Sequence, residues 1–236
     1  MVNLGQIEIL PASGVLAWAL DTFGARFAIA TSFQKSGMVV LDLAASSGRP
    51  FRVFTLDTGR LPVETFAMAD LVRRRYGVAV ELVPPDEAEV AAMVEQNGPD
   101  LFYNGVEFRR LCCATRKVRP LARKLAELEA WATGLRRDQA DTRAEVPKAA
   151  VVDGRIKINP LADWTAAQVD EYTRAHAVPV HPLYARGYRS IGCAPCTRPV
   201  QSGEDDRAGR WWWELDAQKE CGIHFAPDGS ARREAP

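Results

Sequence analysis

The 236-residue chain has no excess of either charge: thirty Lys and Arg face thirty Asp and Glu, a formal net charge of +0. That balance excludes a surface that is one continuous electrostatic footprint for nucleic acid or membrane, so any basic site must be local. Long apolar runs are also missing. The stretch 15–20 is among the longest, far short of the roughly 20 residues that span a bilayer. The first residues lack a basic start followed by an apolar run, and a cytoplasmic protein is expected. There is no internal repeat, no low-complexity segment, and no linker rich enough in Pro, Gly and Ser to mark a clean boundary. With 47% hydrophobic and 25% charged residues the chain can build a core, so global disorder is excluded.

Cysteine is scarce and unevenly placed. The five are Cys112, Cys113, Cys193, Cys196 and Cys221. An odd number without a secretory signal disfavours a disulfide framework and makes reduced thiols the default. Four form two tight pairs, one adjacent and one CxxC, about eighty residues apart, which suggests four ligands and one chemical thiol. Tetrathiolate sites hold zinc or an iron-sulfur cluster. Adjacent cysteines diverge, and they reach two irons of a 4Fe-4S cluster more easily than two corners of one small tetrahedron. Buried, unligated thiols remain the bland alternative.

The hydrophobic pattern alternates strand and helix. Residues 26–33 (RFAIATSF) read as a strand, followed by Gly37 and the helix-like run 38–45. Residues 51–56 form a second strand, Pro62 opens a helix running to about Tyr76, and 78–83 is a third strand before Pro84 and Pro85. Helices are expected over 87–96, 116–129 and 165–176, a strand over 130–134, and a hairpin over 151–158 turning at Asp153 and Gly154. Such alternation means an α/β fold: an open, mostly parallel sheet with helices on both faces, plus an irregular C-terminal segment. In such sheets ligands sit beyond the carboxyl ends of the strands. The loops 32–37, 57–60 and 135–139 with Arg143 are therefore the places to look, an amino-terminal helix end being suited to an anion or nucleotide. Their alternative reading is ordinary solvated turns.

Residues 109–124 hold Arg109, Arg110, Arg116, Lys117, Arg119, Arg123 and Lys124 without an acidic residue, around the adjacent cysteines. Four or five of these are assigned to a solvated helix face. The others are available to offset a negatively charged cluster or to face an anionic substrate. Trp211, Trp212 and Trp213 cannot share one helical face and read mainly as packing, His181 as a local hydrogen-bonding group, and His176 as part of its helix.

From Asn159 onward the chain reads INPLADWT, HPLYARGYRSIGCAPCTRPV, GEDDRAGRWWWE and KECGIH. With the adjacent cysteines, the LDTGR ending at Arg60 and the loop 136–139, it closely resembles the assimilatory adenosine 5′-phosphosulfate (adenylyl-sulfate) reductases of the phosphoadenylyl-sulfate reductase family. The resemblance runs from about residue 30 to 224. It implies an ATP-pyrophosphatase-like fold of the adenine nucleotide alpha hydrolase type over residues 1–205 and a C-terminal segment, 206–236, carrying the nucleophile. It further implies that Cys221 attacks the sulfate sulfur of adenylyl sulfate, AMP leaves, and thioredoxin or a similar dithiol protein releases sulfite from the S-sulfocysteine, in sulfate assimilation toward cysteine. By the same match Cys112, Cys113, Cys193 and Cys196 hold a 4Fe-4S cluster that supports the site. Lys117, Arg143, Arg207 and Arg210 fall at positions contacting the phosphosulfate, and Ser32, Asp57, Gly59 and Gly134 at positions near the nucleotide. Nothing in the sequence excludes a homo-oligomer, and neither nucleic acid nor membrane is an expected partner.

The chemistry agrees with that implication. A thiol with the usual pKa near 8.5 is only a few per cent thiolate at neutral pH, so Cys221 needs nearby cations, for which Lys219, His224 and incoming arginines are candidates. Two unit charges 4 Å apart at an effective dielectric near 20 repel by roughly 4 kcal/mol, so two or three positive side chains are required to bring a thiolate onto a phosphosulfate. The chain departs from the parent fold in lacking a glycine-rich phosphate loop: residues 32–37 read SFQKSG. It departs from the family in having Ala140 after Gln139, where Ser is usual. The first departure makes ATP cleavage, and with it a tRNA-thiolating enzyme of the same superfamily, the weaker reading. A phosphoadenylyl-sulfate reductase is the runner-up, with Lys35 as the candidate for a 3′-phosphate. A purely electron-transferring or metal-stabilised binding module would need the four ligands but not Cys221.

Overall fold

The structure, a computed structural model, describes residues 4–140 and 143–214. Six strands form one sheet in the order β3-β2-β1-β4-β6-β5. They are β1 (Phe27–Ala30), β2 (Val53–Leu56), β3 (Val80–Val83), β4 (Ala130–Ala132), β5 (Ala149–Val152) and β6 (Arg155–Ile158). All neighbours are parallel except β5 and β6, an antiparallel hairpin closed at Asp153 and Gly154, both at positive φ (50° and 75°).

Successive side chains along the central strands face opposite sides of the sheet, both of them covered, and the two sets build two cores. Phe27 and Ile29 of β1, Val53 of β2 and Ala130 and Ala132 of β4 face α1 (Ala12–Phe23), α2 (Lys35–Ser46), α3 (Val63–Tyr76) and α7 (Ala166–Ala175). Ala28, Phe54, Val83 and Trp131 face the other way, against Leu121 and Leu125 of α6 (Arg119–Leu125). A third cluster lies apart from the sheet. Met93 of α4 (Glu87–Asn97), Leu101, Phe102, Cys112 of α5 (Val106–Cys113), Cys193, Cys196 and Trp211 pack together there. No helix among the described residues is long and apolar enough to cross a membrane.

Local chemistry sets the boundaries. Pro62 precedes α3, and Gly77 ends it in the left-handed region with its N–H on the Arg73 carbonyl. Asp86 caps α4 by accepting from Glu89 N at 3.0 Å. Thr165 and Gln168 form a reciprocal capping box on α7.

Three expectations need correction. The first strand stops at Ala30, because Thr31 Oγ1 accepts from Phe33 N (3.0 Å) and turns the chain through Phe33 at φ 56°. The helix expected over 116–129 begins ten residues earlier and ends at Leu125; α5 runs through a π-helical turn (Ala114–Val118) directly into α6. A solvated face of four or five cations is too many: Arg110, Arg119 and Arg123 are exposed, Lys117 is half-buried, and Arg109, Arg116 and Lys124 are buried. The segment before Arg26, for which the sequence carries no expectation, contains α1.

Candidate active site

The loops after β1, β2 and β4 leave the same edge of the sheet and are tied to one another. After β4, Gly134 lies against the amino end of α2 so closely that a Cβ there would stand 2.6 Å from Gly37 N and 2.7 Å from Ser36 C. Arg136, next along, donates to Ser36 Oγ and to Asp138 Oδ1 (2.9 Å). Arg143 Nη1 donates to Gln139 Oε1 at 2.7 Å, and Gln139 Oε1 also accepts from Arg136 N. Ser32 is exposed and accepts from Gln34 Nε2. Thus Ser32, Gly134 and Arg143 belong to one connected set of loops at the carboxyl ends of β1 and β4. Lys35 is engaged: its Nζ pairs with Asp170 at 2.7 Å and stands 5.0 Å from the Tyr184 ring centroid.

The loop after β2 reaches toward the cysteines. Asp57 Oδ1 accepts from Gly59 N (2.9 Å), and Gly59 sits at φ 67° where a Cβ would meet Arg116 Nη1 at 3.2 Å. Buried Thr58 takes Arg116 Nη1 on its carbonyl at 2.8 Å and holds its hydroxyl 3.3 Å from Cys193 Sγ. The Arg60 carbonyl accepts from Ala194 N in the CxxC turn. This one loop therefore touches both the expected nucleotide edge and the cysteine region.

Cys112, Cys113, Cys193 and Cys196 are all buried and free, and together they line one cavity. A π-helical turn follows Cys113 directly. The remaining lining is Arg60, Phe102, Arg109, Arg116 and Lys117. Burial pushes the Cys112 thiol up, against the pull of Arg116 and Lys117. Cys196 is pushed up to about 12 by burial and by neighbouring Cys193, against Lys117 and Arg210. The Nε groups of Arg116 and Arg210 are buried with no hydrogen-bond partner among the described residues. Among those residues no three His, Cys, Asp or Glu side chains converge on a position for a single metal ion.

Of the other expected residues, Lys117 lines the cysteine cavity. Arg210 is buried, lies over the Trp211 ring and packs on Gly192, where a Cβ would come within 2.5 Å of its guanidinium. Arg207 is half-buried in a turn where its N–H reaches Asp205 Oδ1. Cys221, Lys219 and His224 lie outside the described residues. Trp211 is core, as expected of a packing residue, while Trp212 is 39% exposed. His181 is buried, with one local partner, Leu183 N on its Nδ1, and one distant in sequence, the Thr65 hydroxyl at Nε2. Phe102 stands outside every sequence expectation, while Thr58 lies in the loop 57–60 and Glu214 closes the GEDDRAGRWWWE stretch, neither with a role of its own expected.

A mostly parallel sheet in this order, with the loops after β1, β2 and β4 together at one edge, has an ATP-pyrophosphatase-like fold. FAD synthetase from yeast shares it at 14% identity and a TM-score of 0.57, covering 83% of this chain and 67% of that one. Residues 26–199 match the phosphoadenosine phosphosulfate reductase domain, and the chain belongs to that family. It is 50% identical over 198 residues to an adenosine 5′-phosphosulfate reductase of Burkholderia cepacia, covering 83% of this chain and 79% of the relative. The adenosine 5′-phosphosulfate reductase of Allochromatium vinosum is 49% identical, over 84% and 79%. A phosphoadenylyl-sulfate reductase from Candida auris, solved as a phosphate complex, has a TM-score of 0.69 at 29% identity, covering 81% of this chain and 92% of that one.

Proposed function

We propose that this chain reduces adenosine 5′-phosphosulfate to sulfite and AMP, with Cys221 as nucleophile and a thioredoxin-like dithiol protein as electron donor. The observation that carries the reading is the convergence of two distant cysteine pairs on one cavity ringed by Arg60, Arg109, Arg116 and Lys117, joined through Thr58 to the loop after β2. The names of relatives at 49–50% identity support the same substrate.

The donor set suits a 4Fe-4S cluster: four soft thiols face one space, beside buried guanidinium N–H groups that lack an acceptor. Cys112, Cys113, Cys193 and Cys196 would hold it, and when bound it supplies a fixed negative charge that orders the surrounding cations. Lys117 and Arg116, on the turn linking the cavity to Gly59, orient the sulfate end of the nucleotide and offset the charge that builds as sulfur is attacked. Arg143, Arg207 and Arg210 are proposed to complete this shell, and the loops of Ser32, Asp57, Gly59 and Gly134 to receive the adenylate. In the first step the Cys221 thiolate forms a bond to sulfur while the bond from sulfur to the phosphate oxygen breaks, giving AMP and Cys221-S-sulfonate. In the second, a thiolate of the dithiol protein displaces sulfite through a mixed disulfide, which its second thiol resolves. The dithiol is oxidised by two electrons, and the Cys221 thiol returns.

The family match also covers phosphoadenylyl sulfate. Lys35, the candidate for its 3′-phosphate, would have to leave Asp170 and Tyr184 to bind it, which favours the simpler nucleotide. The test measures sulfite from each nucleotide with thioredoxin present, for the wild type and for Cys221→Ser. Turnover of adenylyl sulfate, abolished by C221S while the visible absorbance of the protein persists, is the expected result. Activity surviving the substitution, or no label on Cys221 from radiolabelled adenylyl sulfate without reductant, would refute it.

A further inference from the structure

The loop after β1 and the segment leading into the CxxC turn meet through one carboxamide. Gln34 Oε1 accepts from Ile191 N at 3.0 Å, and Gln34 Nε2 donates to Ser32 Oγ at 3.0 Å. Ile191 is buried and stands two residues before Cys193. Gly192, between them, packs on the Arg210 guanidinium, and its N–H donates to Thr197 Oγ1 at 3.2 Å. The same stretch is held from the loop after β2 by Ala194 N on the Arg60 carbonyl (2.8 Å). Starting α2 takes only the backbone of Gln34: Met38 N donates to its carbonyl at 3.0 Å, and its side chain makes no cap.

The polarity of this bridge is fixed. A backbone N–H can only donate, so the Gln34 atom facing Ile191 is the carboxamide oxygen, and the group facing Ser32 is then its NH2. Ser32 Oγ therefore receives a proton from Gln34, and its own hydroxyl proton is left for an acceptor outside the loop, Ser32 being exposed. We infer that Gln34 is a positioning residue that presets the Ser32 hydroxyl as a donor to an oxygen of the bound adenylate and ties that donor to the CxxC segment through Ile191. This rests on the proposal above that the Ser32 loop receives the adenylate.

All the hydrogen bonds of the chain run one way, from the Ile191 N–H through the carboxamide to the hydroxyl and on to the nucleotide. Such a chain polarises cooperatively, so an acceptor at Ser32 strengthens the bond at Ile191. By reciprocity, the bond at Ile191 favours the nucleotide.

The test uses the full chain with its cysteine site loaded and AMP as the ligand, for Gln34→Ala and Gln34→Glu, and for Gln34→Glu combined with Ser32→Ala. AMP affinity is read by calorimetry, and amide hydrogen exchange at Ile191 is read beside that at Gly192. Q34A removes the bridge: exchange at Ile191 should quicken about tenfold, and AMP should bind about two- to tenfold more weakly. Q34E still accepts from Ile191 N, but its second oxygen takes the Ser32 proton. Exchange at Ile191 should stay slow while AMP affinity falls by about tenfold or more, because a charge-assisted bond to the ligand is lost. Part of that fall is repulsion by the new charge, and S32A separates it: the fall caused by Q34E should be several-fold smaller when the hydroxyl is absent. In the wild type AMP should slow exchange at Ile191 more than at Gly192.

Unchanged Ile191 exchange in Q34A would overturn the inference, as would an AMP effect no larger at Ile191 than at Gly192. So would a Q34E penalty undiminished by S32A, or a Q34E loss of affinity accompanied by fast Ile191 exchange, the mark of a merely structural side chain. If the wild type binds no AMP, the adenylate proposal fails and takes this inference with it. AMP binding that ignores both Gln34 variants refutes the inference alone.

Discussion

Replacing Gly134 by Ala tests whether the nucleotide edge is built by close backbone approach. The added methyl would stand 2.6 Å from Gly37 N and 2.7 Å from Ser36 C, both backbone atoms at the amino end of α2. Ordinary contact begins near 3.4 Å, so β4 and α2 must separate by about 0.8 Å, and no flexible side chain can absorb the difference. The same junction is pinned by the Arg136 to Ser36 hydrogen bond, so the shift also strains that contact. Overpacking of this kind costs about 1–3 kcal/mol. Displacing a substrate loop by nearly 1 Å can lower turnover by about 10²-fold. The expected outcome in urea unfolding and AMP calorimetry is a loss of about 1–3 kcal/mol of stability with at least a tenfold weaker AMP affinity. Gly77→Ala is the control, because Gly77 is also conformationally special (φ 69°) but a Cβ there meets nothing within 4 Å. It should lose about 1 kcal/mol through backbone strain and leave AMP binding alone. A G134A protein as stable as the wild type, with unchanged AMP affinity, would refute the reasoning.

Other outcomes follow from single contacts. Gly37→Ala places a methyl 2.5 Å from Thr31 Oγ1 and should break the Thr31 to Phe33 hydrogen bond, costing about 1–2 kcal/mol in urea unfolding and weakening AMP binding. Thr165→Ala removes the acceptor for Gln168 N and should cost about 1 kcal/mol with turnover intact, since Asp138 still accepts from Ala166 N. Burial lowers the pKa of His181, with Glu64 opposing, so the folded state holds it neutral where the unfolded chain takes up a proton. The stability it contributes is present above about pH 6.5 and is lost as pH falls through the folded value. The fall in urea midpoint between pH 7 and pH 5 should therefore shrink in His181→Asn, and an unchanged slope would count against it.

The parts of the fold with strong local periodicity were readable from the residues alone. The apolar runs of β1 and β2, Pro62 before α3, the Asp153-Gly154 hairpin and the Thr165 to Gln168 box each show in the sequence the property that makes them fold so. The extent of the cysteine helix was not readable. A π-helical turn obeys no simple apolar spacing, and the pattern on which a helix start is read is interrupted by the very arginines that turn inward. Arg109 and Arg116 look like surface residues in composition. Their burial depends on a tertiary partner more than fifty residues away, Glu214 for one and the Thr58 carbonyl for the other.

The same dependence explains why the meeting of the four cysteines in one cavity could be anticipated but the placement of the arginines around it could not. Paired thiols stand out through residue type and spacing, whereas a guanidinium takes a fixed place only when an acceptor or an aromatic face meets it inside the fold. Here Trp211 supplies such a face to two arginines at once, from a run of three tryptophans in which only the first turns fully inward. That inward turn requires Trp211 to adopt φ 44°, and Gly is the residue that does so without strain. Trp211→Gly should therefore relax the backbone while removing the aromatic face. The buried Arg109 and Arg210 would then lose their shared platform, and stability should fall by about 3–5 kcal/mol despite the relief of strain. Urea unfolding of W211G beside Trp212→Gly, whose ring is 39% exposed, separates the two effects. A W211G protein no less stable than W212G would mean that the ring, and with it the arrangement of arginines over it, contributes nothing to holding this segment in place.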